Sequence, residues 1–75
     1  MKNLFFSPST TGFYLPGSDM PDDAVEVSAV VEAFLREVIA WGADSFTVSL
    51  NSARVSYPAF MADYAETYNA PISLG

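Results

Sequence analysis

The sequence predicts a small α+β domain in which short antiparallel strands, paired as hairpins, pack against one or two helices. Three observations favour this class: short segments that alternate apolar and polar residues, turn-forming residues between them, and a longer central segment with apolar residues at helical spacing. The 75 residues suffice for a single domain, residues 1–75, and 51% of them are hydrophobic. This apolar content argues against disorder, because burying it offsets the entropy lost on folding.

The segment 4–28 predicts three short strands and the start of a helix. Residues 4–6 are bulky and apolar, residues 13–15 form a similar run, and the turn-forming residues between them favour an N-terminal hairpin. Residues 24–27 alternate apolar and polar side chains, which indicates a third strand. Ser28 is of a residue type that caps helix N-termini, so the helix is expected to begin directly after it.

The central segment predicts a helix over residues 29–41. Its apolar residues recur at helical spacing and form one face: Val31, Phe34, Leu35, Val38 and Trp41. Gly42 is expected to end the helix, because glycine adopts the left-handed conformation at little cost. Phe34 and Trp41, together with Phe46 of the next segment, are expected in the core.

Residues 46–57 predict a second hairpin, with Asn51 and Ser52 as its turn. Alternation of apolar and polar residues indicates which side chains face the core. These are Phe46, Val48, Leu50, Val55 and Tyr57.

Residues 58–69 predict a closing helix with Pro58 in its first turn. One face of this helix is rich in aromatic residues and comprises Phe60, Met61, Tyr64, Ala65 and Tyr68. Asn69 and Pro71 are expected to end the helix, and residues 72–75 are expected to form a loose tail.

The chain is acidic, with a net charge of −6 and only three cations, Lys2, Arg36 and Arg54. Nucleic acids and anionic membrane surfaces are bound through Lys and Arg, so the charge argues against both partners. A basic protein would be attracted instead, although acidity can also serve solubility alone. The chain has no cysteine and therefore no disulfide, which suits a cytoplasmic protein.

The residue types argue against catalysis. Without histidine or cysteine, the chain cannot form a Ser-His or Cys-His pair, and a Ser-Lys pair would need Lys2 at the terminus. Asp19, Asp22 and Asp23 form a small acidic cluster, but they lack the spacing of a calcium-binding loop. The glycines are too dispersed for a phosphate-binding loop. We therefore expect no enzyme, no cofactor and no metal, and the remaining function class is binding to another protein.

The residues expected to contact a partner are the tyrosines and the acidic cluster: Tyr14, Tyr57, Tyr64, Tyr68, Asp19, Asp22 and Asp23. Tyrosine is enriched in protein interfaces because its ring is apolar and its tip is polar. Two alternatives stay open. The tyrosines can be half-buried residues at the edge of the core, and Asp22 or Asp23 can simply cap a turn.

Three motifs follow one another in segment 4–28: Phe5-Phe6-Ser7, Gly12-Phe13-Tyr14 and Met20-Pro21-Asp22-Asp23-Ala24-Val25-Glu26-Val27-Ser28. In this order and spacing they resemble the start of tail fibre assembly proteins of tailed bacteriophages. The resemblance implies a chaperone-like function, exerted on phage tail fibre subunits through protein contacts in the cytoplasm of the bacterial host. From Val30 onward the chain departs from the family pattern, since its helix begins with apolar residues.

A second resemblance concerns the end of the central helix. Trp41-Gly42 followed by Phe46-Thr47-Val48 is similar to a small type I-F anti-CRISPR protein of phages. It implies an alternative function, in which an acidic phage protein inhibits a basic host defence complex by steric block or nucleic-acid mimicry. Self-association into a homo-oligomer is a further expectation, because a chain this short has a small core.

Overall fold

The computed structural model describes residues 3–75, which form six strands, two helices and one 3-10 turn. The N-terminal elements are β1 (Leu4–Ser7), β2 (Gly12–Tyr14), β3 (Val25–Val27) and α1 (Ala29–Trp41). The C-terminal elements are β4 (Ser45–Val48), β5 (Ala53–Ser56), the 3-10 turn Ala59–Met61, α2 (Ala62–Thr67) and β6 (Ser73–Leu74). These elements confirm the predicted α+β class.

The first sheet has the strand order β2-β1-β3, and both of its pairings are antiparallel. Phe6 in the central strand lies opposite Phe13 on one side and Val25 on the other. The predicted N-terminal hairpin and third strand are therefore both present. This sheet comprises the motifs that resemble tail fibre assembly proteins.

Local signals define both ends of α1. The Ser28 side chain accepts a hydrogen bond from the Val31 backbone N–H and caps the helix. At the other end Gly42 has φ = 104°, and its N–H donates to the carbonyls of Val38 and Ile39. The predicted helix and both predicted caps are confirmed.

The second sheet has the order β4-β5-β6 and corrects two expectations. Residues 72–75 are not a loose tail, because Ser73 and Leu74 pair with β5 and the Ile72 carbonyl accepts a hydrogen bond from the Val55 N–H at 2.8 Å. Leu50 does not face the core: β4 ends at Val48, and Leu50 is exposed in the turn beyond it.

The core lies where the two sheets meet α1. Its buried residues are Phe6, Val27, Val31, Leu35, Val38, Ala53 and Val55. Phe34 and Phe46 are only half-buried and pack against this cluster from outside, and the Phe6 and Phe46 rings lie 5.3 Å apart. Trp41 was expected in the core but is half-buried at its margin, where it is free to contribute to the surface.

The predicted closing helix is shorter than expected. Pro58 precedes the 3-10 turn instead of lying in a helical turn, and α2 ends at Thr67, before Asn69 adopts φ = 55°. None of the α2 residues is buried. The radius of gyration, 12.5 Å, exceeds the value of about 11 Å expected for a compact chain of this length. The C-terminal helix thus lies on the outside of the molecule.

No helix within residues 3–75 combines the length and the apolar character that crossing a membrane requires.

Candidate functional site: an exposed aromatic surface

The closing helical segment presents three large rings to solvent. Phe60 and Tyr64 line the same groove, and the Tyr64 and Tyr68 rings lie 4.8 Å apart, so the three residues share one face. Their exposed fractions are 86%, 50% and 61%. We call these three residues, with Trp41 and Met61, the aromatic surface. Clustered exposed rings of this kind are typical of protein contact sites.

Three rings of the aromatic surface, those of Trp41, Tyr64 and Tyr68, are arranged in a row. The Trp41 and Tyr64 centroids lie 6.0 Å apart with an interplanar angle of 56°, and the Tyr64 and Tyr68 centroids lie 4.8 Å apart at 47°. Tilted pairs at these distances are favourable for aromatic rings. Because the rings support one another, a partner would meet a surface that is already ordered.

A groove runs between α1 and the closing helical segment and has a volume of about 610 Å³. Its lining residues are Glu37, Ala40 and Trp41 from α1, and Phe60, Met61 and Tyr64 from the other side. Glu37 and Trp41 are one helical turn apart, so their side chains project from the same face of α1. The groove therefore combines three aromatic rings with one carboxylate.

Gly42 allows the closing segment to approach α1 closely. A Cβ atom built on Gly42 would lie 2.8 Å from the Cε and 2.9 Å from the Sδ of Met61. Those separations are too short for carbon and sulfur atoms. Gly42 therefore caps α1 and also leaves room for the end of the Met61 side chain.

Tyr57 anchors the segment that carries α2. Its hydroxyl donates a hydrogen bond to the Pro71 carbonyl at 2.6 Å, and its ring packs against the core cluster. Burial raises the pKa of the Tyr57 phenol, and the negative charge of Glu37 raises it further. Tyr57 therefore has a structural role beneath the aromatic surface, as the half-buried alternative predicts.

The charges around the groove are negative. Glu37 lines it, and Asp63 lies in the first turn of α2. Within residues 3–75 the single ion pair joins Glu32 and Arg36, at 3.0 Å. No described cation neutralises the carboxylates beside the aromatic surface.

Asp23 and Tyr14, both predicted contact residues, form hydrogen bonds inside the first sheet. The Asp23 carboxylate accepts from the Ser7 hydroxyl at 2.7 Å and from the Ser9 N–H at 2.8 Å. These hydrogen bonds lower the pKa of Asp23, and the bond from Ser7 has the largest effect. The Tyr14 hydroxyl shares a hydrogen bond of 2.9 Å with the Thr10 hydroxyl. Asp23 thus joins the segment before β3 to the end of β1 and to the turn that follows it, through partners 16 and 14 residues earlier.

Asp19 and Asp22 lie exposed in the segment between β2 and β3. In the part of the chain that the structure describes, no group of three acidic residues is placed to hold a metal ion. Of the predicted contact residues, the structure brings Tyr64 and Tyr68 together.

Sequence reasoning missed Phe60, Trp41 and Glu37 as site residues. The four-residue spacing of Phe60, Tyr64 and Tyr68 was a signal for the shared face. The sequence held no comparable signal for Trp41 or Glu37, because their role depends on the contact between α1 and a segment twenty residues further along.

Comparison with protein-family models, with curated protein sequences and with solved structures identified no match to this chain. The resemblance of residues 4–28 to tail fibre assembly proteins stays a prediction.

Proposed function

We propose that this chain is a non-enzymatic protein-binding module that contacts its partner through the aromatic surface. The observation that carries the proposal is the exposure of Phe60, Tyr64 and Tyr68 on one face, next to a groove that Trp41 also lines. Leaving such large rings in water is unfavourable, and covering them with a partner recovers that free energy.

The side chains that line the groove are suited to packing against a partner protein and not to acid-base catalysis. They offer aromatic rings, the Met61 thioether and the Glu37 carboxylate, which is exposed to solvent. Acid-base catalysis needs a carboxylate whose pKa a surrounding pocket has shifted. An open surface of rings is instead the composition found at the centres of protein interfaces.

The resemblance of residues 4–28 names a class of partner, a phage tail fibre subunit, and a chaperone-like action on it. In this proposal the first sheet is the scaffold, because Ser7 and Asp23 of the resembling motifs hydrogen-bond to each other. The contact is then made by the C-terminal segment, where the chain departs from the family pattern.

The proposal is tested by co-expressing the chain with the C-terminal region of a phage tail fibre subunit and measuring the yield of soluble fibre trimer. The wild-type chain should raise the yield, and the double substitution Phe60→Ser with Tyr68→Ser should remove most of the gain. Leu15→Ser is the matched control, because Leu15 is 67% exposed but follows β2 and lines no part of the groove. Equal trimer yield with and without the wild-type chain would refute the chaperone proposal.

The negative charge around the groove favours a second candidate, inhibition of a host defence complex through a basic surface. Glu37 and Asp63 would then meet cations of the host protein. Expression of the chain in a bacterium with CRISPR immunity should restore plaque formation by a targeted phage. If plaques stay absent while fibre trimers increase, the chaperone proposal holds and the inhibitor proposal fails.

A further inference from the structure

The groove between α1 and the closing helical segment has the composition of a site for a cationic side chain. It brings Trp41, Phe60 and Tyr64 together with the Glu37 carboxylate. We propose that it binds an arginine side chain presented by a basic segment of the partner. This inference rests on the proposed protein-binding function and specifies the chemistry of the partner.

Aromatic faces and a carboxylate attract a guanidinium for complementary reasons. The face of an aromatic ring is electron-rich, and tryptophan is the strongest attractor among the aromatic residues. The planar guanidinium stacks on such a face and still donates hydrogen bonds in its own plane to a carboxylate. Glu37 and Trp41, one turn apart on α1, supply this carboxylate and this ring.

A guanidinium held by a ring and a carboxylate already exists elsewhere in the molecule. The Arg36 guanidinium lies 4.3 Å above the centroid of the Phe13 ring, and its Nε donates to a Glu32 carboxylate oxygen at 3.0 Å. There the carboxylate lies one helical turn before the arginine and the ring belongs to β2, whereas in the groove α1 supplies both a carboxylate and a ring. In the groove the ring and the carboxylate are present, and the partner would supply the guanidinium.

The described arginines of this chain are placed elsewhere. Arg36 is held by Glu32 and Phe13, and Arg54 lines a different groove, between β5 and α2. The cation is therefore expected from another molecule.

A second copy of this chain is a poor occupant of the groove. In a twofold dimer the same patch of each copy would face the other, so the carboxylates of Glu37 and Asp63 would meet their equivalents. Each copy also carries a net charge of −6, which opposes association. A basic segment encounters neither repulsion.

The chain contains one tryptophan, so the fluorescence of Trp41 reports directly on the groove. The probe is the blocked peptide acetyl-Leu-Arg-Arg-Leu-amide, titrated into the full chain at low salt. Its matched control replaces both arginines with citrulline, which keeps the shape and removes the charge. We expect a saturable change in Trp41 emission with the arginine peptide and an affinity for the citrulline peptide that is lower by about tenfold.

Two variants separate a local effect from a general effect of charge. Glu37→Gln should weaken binding of the arginine peptide by about fivefold, since an exposed charge pair of this kind contributes modestly. Asp19→Asn removes the same amount of charge in the segment before β3 and should leave the affinity within about twofold. Equal affinities of the two peptides, equal effects of the two variants, or no saturable change would each overturn the inference. So would a change in emission that depends on the concentration of the chain without peptide, because it would identify a second copy as the occupant.

Failure of this inference is distinguishable from failure of the proposed function. If the peptides bind alike but Phe60→Ser with Tyr68→Ser still abolishes the gain in fibre trimer, the aromatic surface binds a protein of other chemistry. If the double variant also leaves the trimer yield unchanged, the proposed function fails as well.

Discussion

The side chains of Ser7 and Asp23 hydrogen-bond to each other, with 2.7 Å between the Ser7 hydroxyl and the carboxylate. Ser7 ends β1 and is fully buried, whereas Asp23 lies in the turn before β3. The contact therefore closes the first sheet at one end. It also assigns a structural role to two residues of the motifs that resemble tail fibre assembly proteins.

Asp23→Asn is expected to lower the thermal stability of the fold near neutral pH. The hydrogen bonds to the carboxylate hold the folded-state pKa of Asp23 below its usual value of 3.8. The stabilisation is thus complete well above pH 3.8 and is lost as the pH falls through the lower, folded-state pKa. The melting temperature should therefore depend less on pH below 4 in the variant than in the wild type. Asp22→Asn is the control. If it lowered the melting temperature as much as Asp23→Asn, the hydrogen bonds of Asp23 would not be the cause.

Tyr57→Phe should destabilise the fold by about 1 kcal/mol, because the Pro71 carbonyl loses its hydrogen-bond donor. Burial and Glu37 raise the folded-state pKa of Tyr57 above 10.0, so its stabilising contribution is complete below pH 10 and is lost as the pH rises through the folded-state pKa. Urea unfolding at pH 7 and pH 10.5 measures both effects. Tyr14→Phe removes the exposed hydrogen bond between the Tyr14 and Thr10 hydroxyls and should destabilise the fold by less than Tyr57→Phe does.

Leu35→Ala should cost about 2–5 kcal/mol in urea unfolding, because Leu35 is fully buried where α1 meets both sheets. Val30 lies on the same helix but is 65% exposed, so Val30→Ala should change the stability by less than about 0.5 kcal/mol. A similar loss of stability for Leu35→Ala and Val30→Ala would contradict the placement of Leu35 in the core and of Val30 at the surface.

Gly42→Ala should destabilise the fold by about 1 kcal/mol, because Gly42 has φ = 104°, a conformation that strains any residue with a Cβ. The end of the flexible Met61 side chain would have to move away from the added Cβ. The displaced Met61 should also change the fluorescence of Trp41 in the neighbouring groove. Gly17→Ala is the matched control: Gly17 has φ = 85°, but the described atoms leave the space for a Cβ open. If Gly42→Ala and Gly17→Ala destabilised the fold equally and Trp41 fluorescence did not change, Met61 would not restrict the residue at position 42.

Local sequence signals predicted the parts of the fold whose stabilising contacts lie close in the chain. Ser28 and Gly42 marked both ends of α1, because caps are formed by backbone groups within one turn. The strand at Ser73–Leu74 was missed because its partner, β5, lies about twenty residues earlier, and nothing local in a short polar and apolar run reveals that pairing.

The candidate site was harder to predict than the fold. The spacing of Phe60, Tyr64 and Tyr68 indicated a shared face, but periodicity does not reveal whether another element covers that face. Trp41 fitted the core pattern of α1, and only the position of Met61 and Tyr64 across the groove shows it at the surface. The acidic cluster suggested a contact site, but Asp23 hydrogen-bonds to Ser7 and Ser9, which lie 16 and 14 residues earlier, and the sequence does not reveal that pairing.

The central claim is that a partner protein covers the aromatic surface. Its most direct test is an NMR titration of the isotope-labelled chain with the C-terminal region of a tail fibre subunit. If a partner covers the aromatic surface, the largest shifts will map to residues 37–42 and 59–68, around Trp41 and Phe60. Shifts confined to residues 14–23, around Tyr14 and Asp19, or no shifts at all, would contradict it.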